Sequence, residues 1–381
     1  MKCLSQAGGV GLVLSFCLVA ACGGPAAPAS RAAAPPPARD QRPVTTATTL
    51  ATGRFREFPL PQRNSGMMKP AVDHQGRIWF GEMDHNCLAV FDPRTQEFRQ
   101  MTPPEGASGI MGLVVAADDT VWFAEQYANY IGHYVPTTGK YHTYALPTLT
   151  RPDPASPRKT LSLPSAPNDL ALDAHGNVWF TELNADALGR IDIQTRQVRH
   201  FSLSAISKGG QALTPYGVAV DPQGMVWFTS TSTSDIGRLD PATGSLRSFA
   251  TAGLPSGITL MEIAADARGV IWATSFVSGL LLRFDPRDAS STPYYAPPGA
   301  GGLYGLAVTA AGDVWVAVTE ANAIARLDVS GRRFEYYPIP TKDSLPLGVA
   351  VGKDGTLWFA EGRSDKLGML DPASRSQGKE R

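Results

Sequence analysis

The stretch Tyr216-Gly-Val-Ala-Val-Asp-Pro-Gln-Gly-Met-Val-Trp-Phe-Thr229 decides the fold, because close variants of it recur along the chain. Another copy, Leu347-Gly-Val-Ala-Val-Gly-Lys-Asp-Gly-Thr-Leu-Trp-Phe-Ala360, lies near the C-terminus. One tryptophan marks each copy, and the seven are Trp79, Trp122, Trp179, Trp227, Trp272, Trp315 and Trp358. The gaps between them are 43, 57, 48, 45, 43 and 43 residues. Self-similarity at a period of about 44 residues indicates a repeat protein in which each copy is one supersecondary unit.

Each copy predicts four short strands, labelled A to D. Strand A is a small, β-branched run such as Val218-Ala-Val220, and an Asp-x-x-Gly turn with a capping aspartate and a positive-φ glycine follows it. Strand B contains the Trp-Phe pair, strand C ends in Asp-Pro, and strand D alternates apolar and polar residues, as in Phe334-Glu-Tyr-Tyr337. Seven such units predict an all-β fold, a seven-bladed β-propeller of four-stranded blades.

The two ends of the repeat region predict how the ring closes. The last copy stops after strand C at Leu370-Asp371, whereas a strand D-like segment, Phe55 to Pro61, precedes the first strand A. We expect this N-terminal strand to complete the last blade, because the ring then has no unpaired blade. An open array of seven sheets is the alternative, and it leaves that strand without a partner. The propeller is therefore assigned to residues 54–372.

The segments outside the propeller predict export and a lipid anchor. Residues 1–21 combine Lys2 with a short apolar run that ends in small residues, as in a secretory signal peptide. The sequence Leu18-Val-Ala-Ala-Cys22 resembles a bacterial lipobox, so Cys22 is the expected lipidation site; ordinary cleavage after Ala21 is the alternative. Residues 22–53, rich in Ala, Pro and Thr, predict a tether, and 373–381 a polar tail. The protein is thus expected on the outer side of a bacterial membrane, in contact with it through the lipid.

Charge and cysteine content narrow the function classes. The chain has 34 Lys+Arg and 34 Asp+Glu, which argues against nucleic acid as a partner because backbone binding needs a basic face. Cys87 is the one cysteine of the expected propeller, so no internal disulfide is predicted there. The 57-residue gap contains an insertion, 148–161, and a second long connection spans 204–214; long loops in a compact array are commonly functional or mobile.

Propellers present ligands on the face where strand A begins and strand B ends, and the repeat register places one residue of each blade there. This inner-strand ring consists of Met68, Met111, Asn168, Tyr216, Met261, Tyr304 and Leu347, with Glu262 beside it. An apolar floor with a few polar groups suits a small-molecule or peptide ligand of amphipathic character. The alternative is that these side chains fill the central channel.

Acidic residues follow strand B and raise the question of a metal or an acid–base centre. Glutamate occupies the third position after tryptophan in four copies, as Glu82, Glu125, Glu182 and Glu361, which favours a structural role in the repeat. In the first copy Glu82 and Asp84 stand beside His85, the histidine that register places on the ligand-binding face. Glu82 and Asp84 are candidate ligands for a divalent cation, and His85 and Glu82 candidate catalytic residues. A solvated loop is the alternative.

The motifs Val178-Trp-Phe-Thr-Glu182 with Leu188-Gly-Arg-Ile191 and Leu357-Trp-Phe-Ala-Glu361 with Leu367-Gly-Met-Leu370 resemble those of the virginiamycin B lyase (streptogramin lyase) family. The resemblance covers residues 54–372. It implies a seven-bladed propeller that opens the ester of cyclic depsipeptide antibiotics by elimination, with Mg²⁺ and a histidine acid–base.

The resemblance also shows a departure at the family's histidines. In the family the catalytic histidine lies in a Pro-His-Gly segment, with a Pro-His-Ala segment one blade earlier; here the matching segments are Pro346-Leu347-Gly348 and Leu303-Tyr304-Gly305. The first hypothesis is therefore a divergent ring-opening enzyme that acts on a cyclic ester or lactone through Glu82, Asp84 and His85, or through Tyr216 with Glu262. The second is a non-catalytic, surface-anchored propeller that binds a small molecule or protein partner. A six-bladed gluconolactonase-like enzyme is a third, which the seven tryptophan repeats disfavour.

Overall fold

The computed structural model describes residues 47–372 apart from 107, 154–155, 208–210, 252–253, 255–257, 298–299 and 331; the side chains of 47–48 and 150–161 are not described. The secondary structure of this part of the chain consists of β-strands and one 3₁₀ turn, Ser204–Ile206. No helix in the described ranges is long and apolar enough to cross a membrane. The expected signal peptide, Cys22 and polar tail lie outside the described residues and stay predictions.

Seven four-stranded antiparallel sheets follow one another along the chain, which confirms the predicted seven-bladed propeller. Blades 1 to 3 contain β3 (Ala71–Val72), β4 (Ile78–Glu82), β5 (Cys87–Asp92), β6 (Glu97–Met101), β7 (Ile110–Val115), β8 (Val121–Glu125), β9 (Tyr130–Val135), β10 (Lys140–Ala145), β13 (Pro167–Leu172), β14 (Val178–Glu182), β15 (Ala187–Ile191) and β16 (Val198–Ser202). Blades 4 and 5 contain β17 (Pro215–Val220), β18 (Val226–Ser230), β19 (Ile236–Leu239), β20 (Leu246–Phe249), β21 (Ile263–Ala265), β22 (Ile271–Ser275), β23 (Leu280–Asp285) and β24 (Ser290–Tyr295). Blades 6 and 7 contain β25 (Leu303–Val308), β26 (Val314–Val318), β27 (Ala323–Asp328), β28 (Arg333–Pro338), β29 (Pro346–Val351), β30 (Leu357–Glu361), β31 (Lys366–Asp371) and β2 (Arg54–Pro59).

The N-terminal strand closes the ring as predicted. Strand β2 pairs antiparallel with β31 as the outer strand of blade 7, from Arg54 opposite Asp371 to Pro59 opposite Lys366. Next to this seam, the Asp365 carboxylate accepts hydrogen bonds from the backbone N–H of Asn64 and from the N–H and hydroxyl of Ser65. The first and last copies are therefore joined both by a sheet and by side-chain hydrogen bonds.

Two connecting segments adopt strand structure. Residues Ala47–Leu50 (β1), at the end of the expected tether, pair in parallel with β28 and form a fifth strand of blade 6. The insertion after blade 2 forms a hairpin of β11 (Thr148–Asp153) and β12 (Ser156–Pro164). In both cases the pairing satisfies backbone N–H and C=O groups, and β1 also covers the exposed edge of β28.

In three blades the aspartate of the A–B hairpin bonds to the tryptophan of strand B. In blade 1, Asp73 Oδ1 accepts the backbone N–H groups of its own turn, and Oδ2 accepts the indole N–H of Trp79 at 2.8 Å. The same indole contact occurs between Asp173 and Trp179 at 3.2 Å and in blade 4 at 2.7 Å. One carboxylate thus stabilises the turn and supplies the acceptor that a buried indole N–H requires.

The glycine of strand C recurs because the phenylalanine of strand B lies over it. A Cβ added to Gly189 would be 2.0 Å from the ring of Phe180, and in blade 7 a Cβ on Gly368 would be 2.2 Å from the ring of its own phenylalanine. Where strand B instead carries the smaller Val316, strand C carries Ala325 opposite it. The Trp-Phe and Gly-Arg motifs are therefore two halves of one packing arrangement.

An Asn or Asp with positive φ joins most blades to the next. Asn86, Asn129, Asp186, Asn322 and Asp365 all have φ between 51° and 65°. Their side-chain oxygens accept backbone N–H groups of the segment that leads into the next inner strand, and the bonds are Asn86 to Gly109, Asn129 to Ala166, Asp186 to Leu213 and Thr214, Asn322 to Ser344, and Asp365 to Asn64 and Ser65. Asn and Asp suit this position because they tolerate left-handed backbone and carry a short acceptor.

Candidate ligand-binding face

The inner-strand ring lies at the centre of the propeller. Five of its members, Met68, Tyr216, Met261, Tyr304 and Leu347, belong to one buried apolar cluster, and Met111 packs against that cluster. The seventh member, Asn168, is polar: it donates a hydrogen bond to the carbonyl oxygen of Tyr216 and accepts one from Gln126. The repeat register predicts that these residues are neighbours, and in the structure they lie together.

The ring is closed rather than open. Tyr216, Tyr304 and Leu347 are 4–6% exposed, and the cavity that the ring residues line has a volume of about 10 Å³. A single water needs about 10–15 Å³, so no organic ligand enters between these side chains. The inner strands approach closely because glycine follows the ring residue in four blades; a Cβ on Gly305 would be 2.0 Å from the carbonyl oxygen of Leu347.

Lys69, Asp169 and Glu262 form an ion-pair group beside the ring, in which the two acids are buried and the Lys69 side chain is 25% exposed; Lys69 and Asp169 were not predicted. Lys69 Nζ is 2.7 Å from Asp169 Oδ1 and 2.7 Å from Glu262 Oε2. The position after the ring residue is charged in blades 1, 3 and 5 and glycine in the other four, a pattern that could have identified Lys69 and Asp169. Burial lowers the pKa of Lys69, but the two carboxylates outweigh it and raise that pKa overall; burial raises the pKa of Glu262.

The two ring tyrosines form a hydrogen-bonded pair above these charges. The hydroxyl oxygens of Tyr216 and Tyr304 are 2.6 Å apart, and burial raises the pKa of both phenols above the usual range. The protonated lysine and the two neutral phenols therefore supply no base near pH 7. The charges and hydroxyl groups of the channel therefore pair with one another and stabilise the closed ring.

Around the closed floor, partly buried apolar side chains form a rim. We define this apolar rim as Met111, Leu183, Phe276 and Leu345, which pack against the buried cluster of the ring. Two of the most exposed large hydrophobic residues, Tyr127 at 57% and Val277 at 69%, lie on the B–C loops of the same face. The repeat pattern gives no signal that these two apolar side chains are exposed.

Leu345 carries backbone strain at this rim. Its φ is +56°, whereas the equivalent residues of blades 1 and 2 are the glycines Gly66 and Gly109, with φ of +63° and +58°. A bulky residue in the left-handed region costs about 1–2 kcal/mol. The position therefore has a large apolar side chain where glycine would fit without strain.

The structure groups Glu82 with His85 but not with Asp84. The Glu82 carboxylate is fully buried and accepts from Gln100, and Oε2 is 2.8 Å from Nδ1 of His85, whose side chain is 21% exposed. Asp84 is exposed, and its backbone N–H bonds to Ser65. Within the described ranges no three His, Cys, Asp or Glu side chains lie close enough to hold a metal ion. Glu82, Asp84 and His85 therefore do not form a three-ligand metal site.

The equivalent glutamates differ in their partners. Glu182 Oε1 is 2.7 Å from Nδ1 of His200, and Glu361 accepts from Ser364. Neither carboxylate oxygen of Glu125 has a hydrogen-bond partner among the described residues. Burial raises the pKa of Glu125 and of Glu361 to about 7. Because all four are buried at the end of strand B, the repeated glutamate is a feature of the blade. Blades 1 and 3 both contain a Glu–His pair, but His85 lies on a B–C loop whereas His200 lies on strand D.

This chain matches one known protein family. The model of the virginiamycin B lyase family matches residues 54–214 and 201–377. The chain belongs to this family. No match was found among curated protein sequences.

Solved structures share the fold at low identity. Virginiamycin B lyase from Staphylococcus aureus is 24% identical over 84% of this chain and 99% of its own, with a TM-score of 0.71. A catalytically inactive histidine-to-alanine variant of that lyase with quinupristin gives the same values. The extracellular domain of a hybrid two-component system from B. thetaiotaomicron is 15% identical over 84% of this chain and 40% of its own, with a TM-score of 0.63.

Proposed function

We propose that this member of the virginiamycin B lyase family binds an amphipathic small molecule or peptide on the face where strand A begins and strand B ends. It does so without the family's histidine chemistry. The observation that carries the proposal is the apolar rim above a closed floor. The floor excludes ligands from the channel, so a ligand lies on the face, with its apolar part against the rim and its polar part toward the loops.

The two positions that match the family's histidines support a binding role. Leu347 carries no titratable group, and the hydroxyl of Tyr304 is buried and bonded to Tyr216. Neither side chain can exchange a proton with a ligand on the face near neutral pH. The lyase solved with quinupristin makes this ligand class the first one to test.

The expected location is the outer side of the bacterial membrane, with the propeller anchored through Cys22. The support is the lipobox-like sequence, together with the extracellular domains among the structural neighbours. Labelling with radioactive palmitate checks this point: Cys22→Ala should abolish the label and leave the fold unchanged.

The binding experiment titrates quinupristin into the purified chain and follows heat or ligand depletion. Leu345→Gly should weaken binding while leaving the free energy of unfolding within about 1 kcal/mol, because relief of strain offsets the lost packing. Val277→Ser should weaken binding as well. Leu50→Ser is the matched control, because Leu50 is 79% exposed but lies on β1. Equal binding by all three variants and the unmodified chain would refute the rim as the site; failure to bind quinupristin would exclude that ligand class.

A second candidate function is ring opening by His85, which is paired with Glu82 and lies on a B–C loop of this face. A buried carboxylate at Nδ1 orients an imidazole and leaves Nε2 available as a base. Mass spectrometry after incubation with quinupristin distinguishes the functions: elimination gives a linear product of unchanged mass at a new retention time, whereas binding alone leaves the antibiotic intact. His85→Ala should abolish such a product, and His200→Ala, which removes an equivalent Glu–His pair, should not.

A further inference from the structure

The opposite face of the propeller contains a groove at the seam between blades 7 and 1. It has a volume of about 390 Å³ and lies among the A–B hairpins of these blades and a C–D turn. Its lining includes Val72, Arg94, Gly352, Lys353, Trp358 and Met369. Small-molecule sites commonly have volumes of about 300–1,000 Å³, so the groove can hold a small organic molecule.

The groove occurs where the repeat lacks its aspartate. In blades 1, 3 and 4 the hairpin aspartate accepts the indole N–H of the strand B tryptophan, but blade 7 has Gly352 at that position. No described residue accepts the indole N–H of Trp358, which is 4% exposed, compared with 0% for Trp79. Blade 7 therefore has an indole donor beside open space where blades 1, 3 and 4 have a carboxylate.

The chemistry of the lining points to a ligand that carries both an apolar part and a negative charge. Val72, Trp358 and Met369 provide an apolar wall. Lys353 is exposed, and among the described residues it forms no ion pair; its Nζ donates to the carbonyl oxygen of His74 at 3.4 Å.

Of the remaining charged groups of the groove, the two basic ones are paired with carboxylates, and the acidic one only accepts hydrogen bonds. Arg94 is paired with Asp92, and the His74 side chain with Asp119. Asp354, also in the lining, has its Oδ1 occupied by the N–H and hydroxyl of Thr356. Lys353 is thus the cation available to a ligand.

We infer that this groove binds an amphipathic organic carboxylate, such as a short fatty acid. The apolar body lies against Val72, Trp358 and Met369, and the carboxylate pairs with Lys353. This site is separate from the apolar rim, so it does not depend on the proposed function of the other face.

The experiment titrates the purified chain with octanoate and, as a neutral control, with octanamide. Octanoate should bind and should shift the indole N–H resonance of Trp358, assigned by its loss in Trp358→Phe. Lys353→Ala should weaken octanoate binding about tenfold, as expected for loss of one charge-assisted contact. Lys140→Ala, which removes an exposed lysine at the start of β10 in blade 2, should have no effect.

Three results would overturn the inference. The first is equal affinity for octanoate and octanamide. The second is octanoate binding that Lys353→Ala leaves unchanged. The third is binding that Val277→Ser or Leu345→Gly abolishes, because the ligand would then occupy the apolar rim.

Discussion

The contact between Asp365 and the segment before blade 1 tests the energetic importance of ring closure. We predict that Asp365→Ala destabilises the propeller more than the same change at an Asn or Asp that joins two consecutive blades. Asp365 accepts three hydrogen bonds, from Asn64 N–H at 2.9 Å, Ser65 N–H at 2.9 Å and Ser65 Oγ at 3.0 Å. The joined residues are 300 positions apart in the chain, so these bonds hold the two ends of the repeat array together.

The size of the expected destabilisation depends on which hydrogen-bond donors lose their acceptor. Ser65 is fully buried, so its N–H and hydroxyl would be left without an acceptor, whereas Asn64 is exposed and its N–H can bond to water. Each unsatisfied buried donor costs about 1–3 kcal/mol. Alanine at φ +51° adds about 1 kcal/mol of strain. The expected loss is about 4 kcal/mol, a large fraction of the stability of a typical domain.

Two other variants provide the comparison. Asp365→Asn keeps Oδ1 for Ser65 and should cost about 1 kcal/mol. Asn86→Ala removes one bond, to Gly109 N–H at 3.2 Å, and should cost about 2 kcal/mol including strain. Urea unfolding followed by tryptophan fluorescence measures all three. The reasoning is wrong if Asp365→Ala is no more destabilising than Asn86→Ala.

Three further predictions concern the blades. Gly189→Ala should destabilise by about 1–3 kcal/mol because its Cβ overlaps the Phe180 ring, and Phe180→Val should restore much of the loss in the double variant; urea unfolding that shows additive losses would contradict this packing. Burial raises the pKa of Glu125 to about 7 from 4.5, so the folded state favours the protonated form and stability should fall by about 3 kcal/mol as pH rises from about 4.5 to 7. Glu125→Gln should remove that dependence in unfolding experiments across pH. Burial lowers the pKa of His133 to about 4 from 6.5, so stability should fall by about 3 kcal/mol as pH drops from about 6.5 to 4. His133→Phe should remove that loss, and an unchanged acid limb would refute the assignment.

The repeat motifs were predictable from the sequence because each one has a local physical cause. Asp221 and Trp227 recur at fixed spacing because the carboxylate must reach the indole across one hairpin, at 2.7 Å. Ring closure was predictable for a different reason. Counting strands left the N-terminal strand without a blade and the last blade without its fourth strand. The structure places β2 on β31 accordingly.

The position of the ligand-binding face was predictable, but the contacts and the exposure of its side chains were not. Register identified the ring residues and the Glu82–His85 neighbours, but it could not show that Tyr216 and Tyr304 bond to each other or that Asp84 turns away. The exposed loop residues Tyr127 and Val277 have no periodicity, so no repeat pattern signals their exposure.

The sequence by itself therefore determined the number of blades, their turns and the closing strand, because these depend on spacings within about 44 residues or on counting strands. The tertiary structure alone decided that Lys69 pairs with Asp169 and Glu262, which are 100 and 193 residues away, and that the channel is closed. It also decided that a groove opens beside Gly352 at the seam of the ring. The physical reason is that such contacts form between side chains of different blades, whose distances are set by the curvature of the whole ring and not by any local pattern.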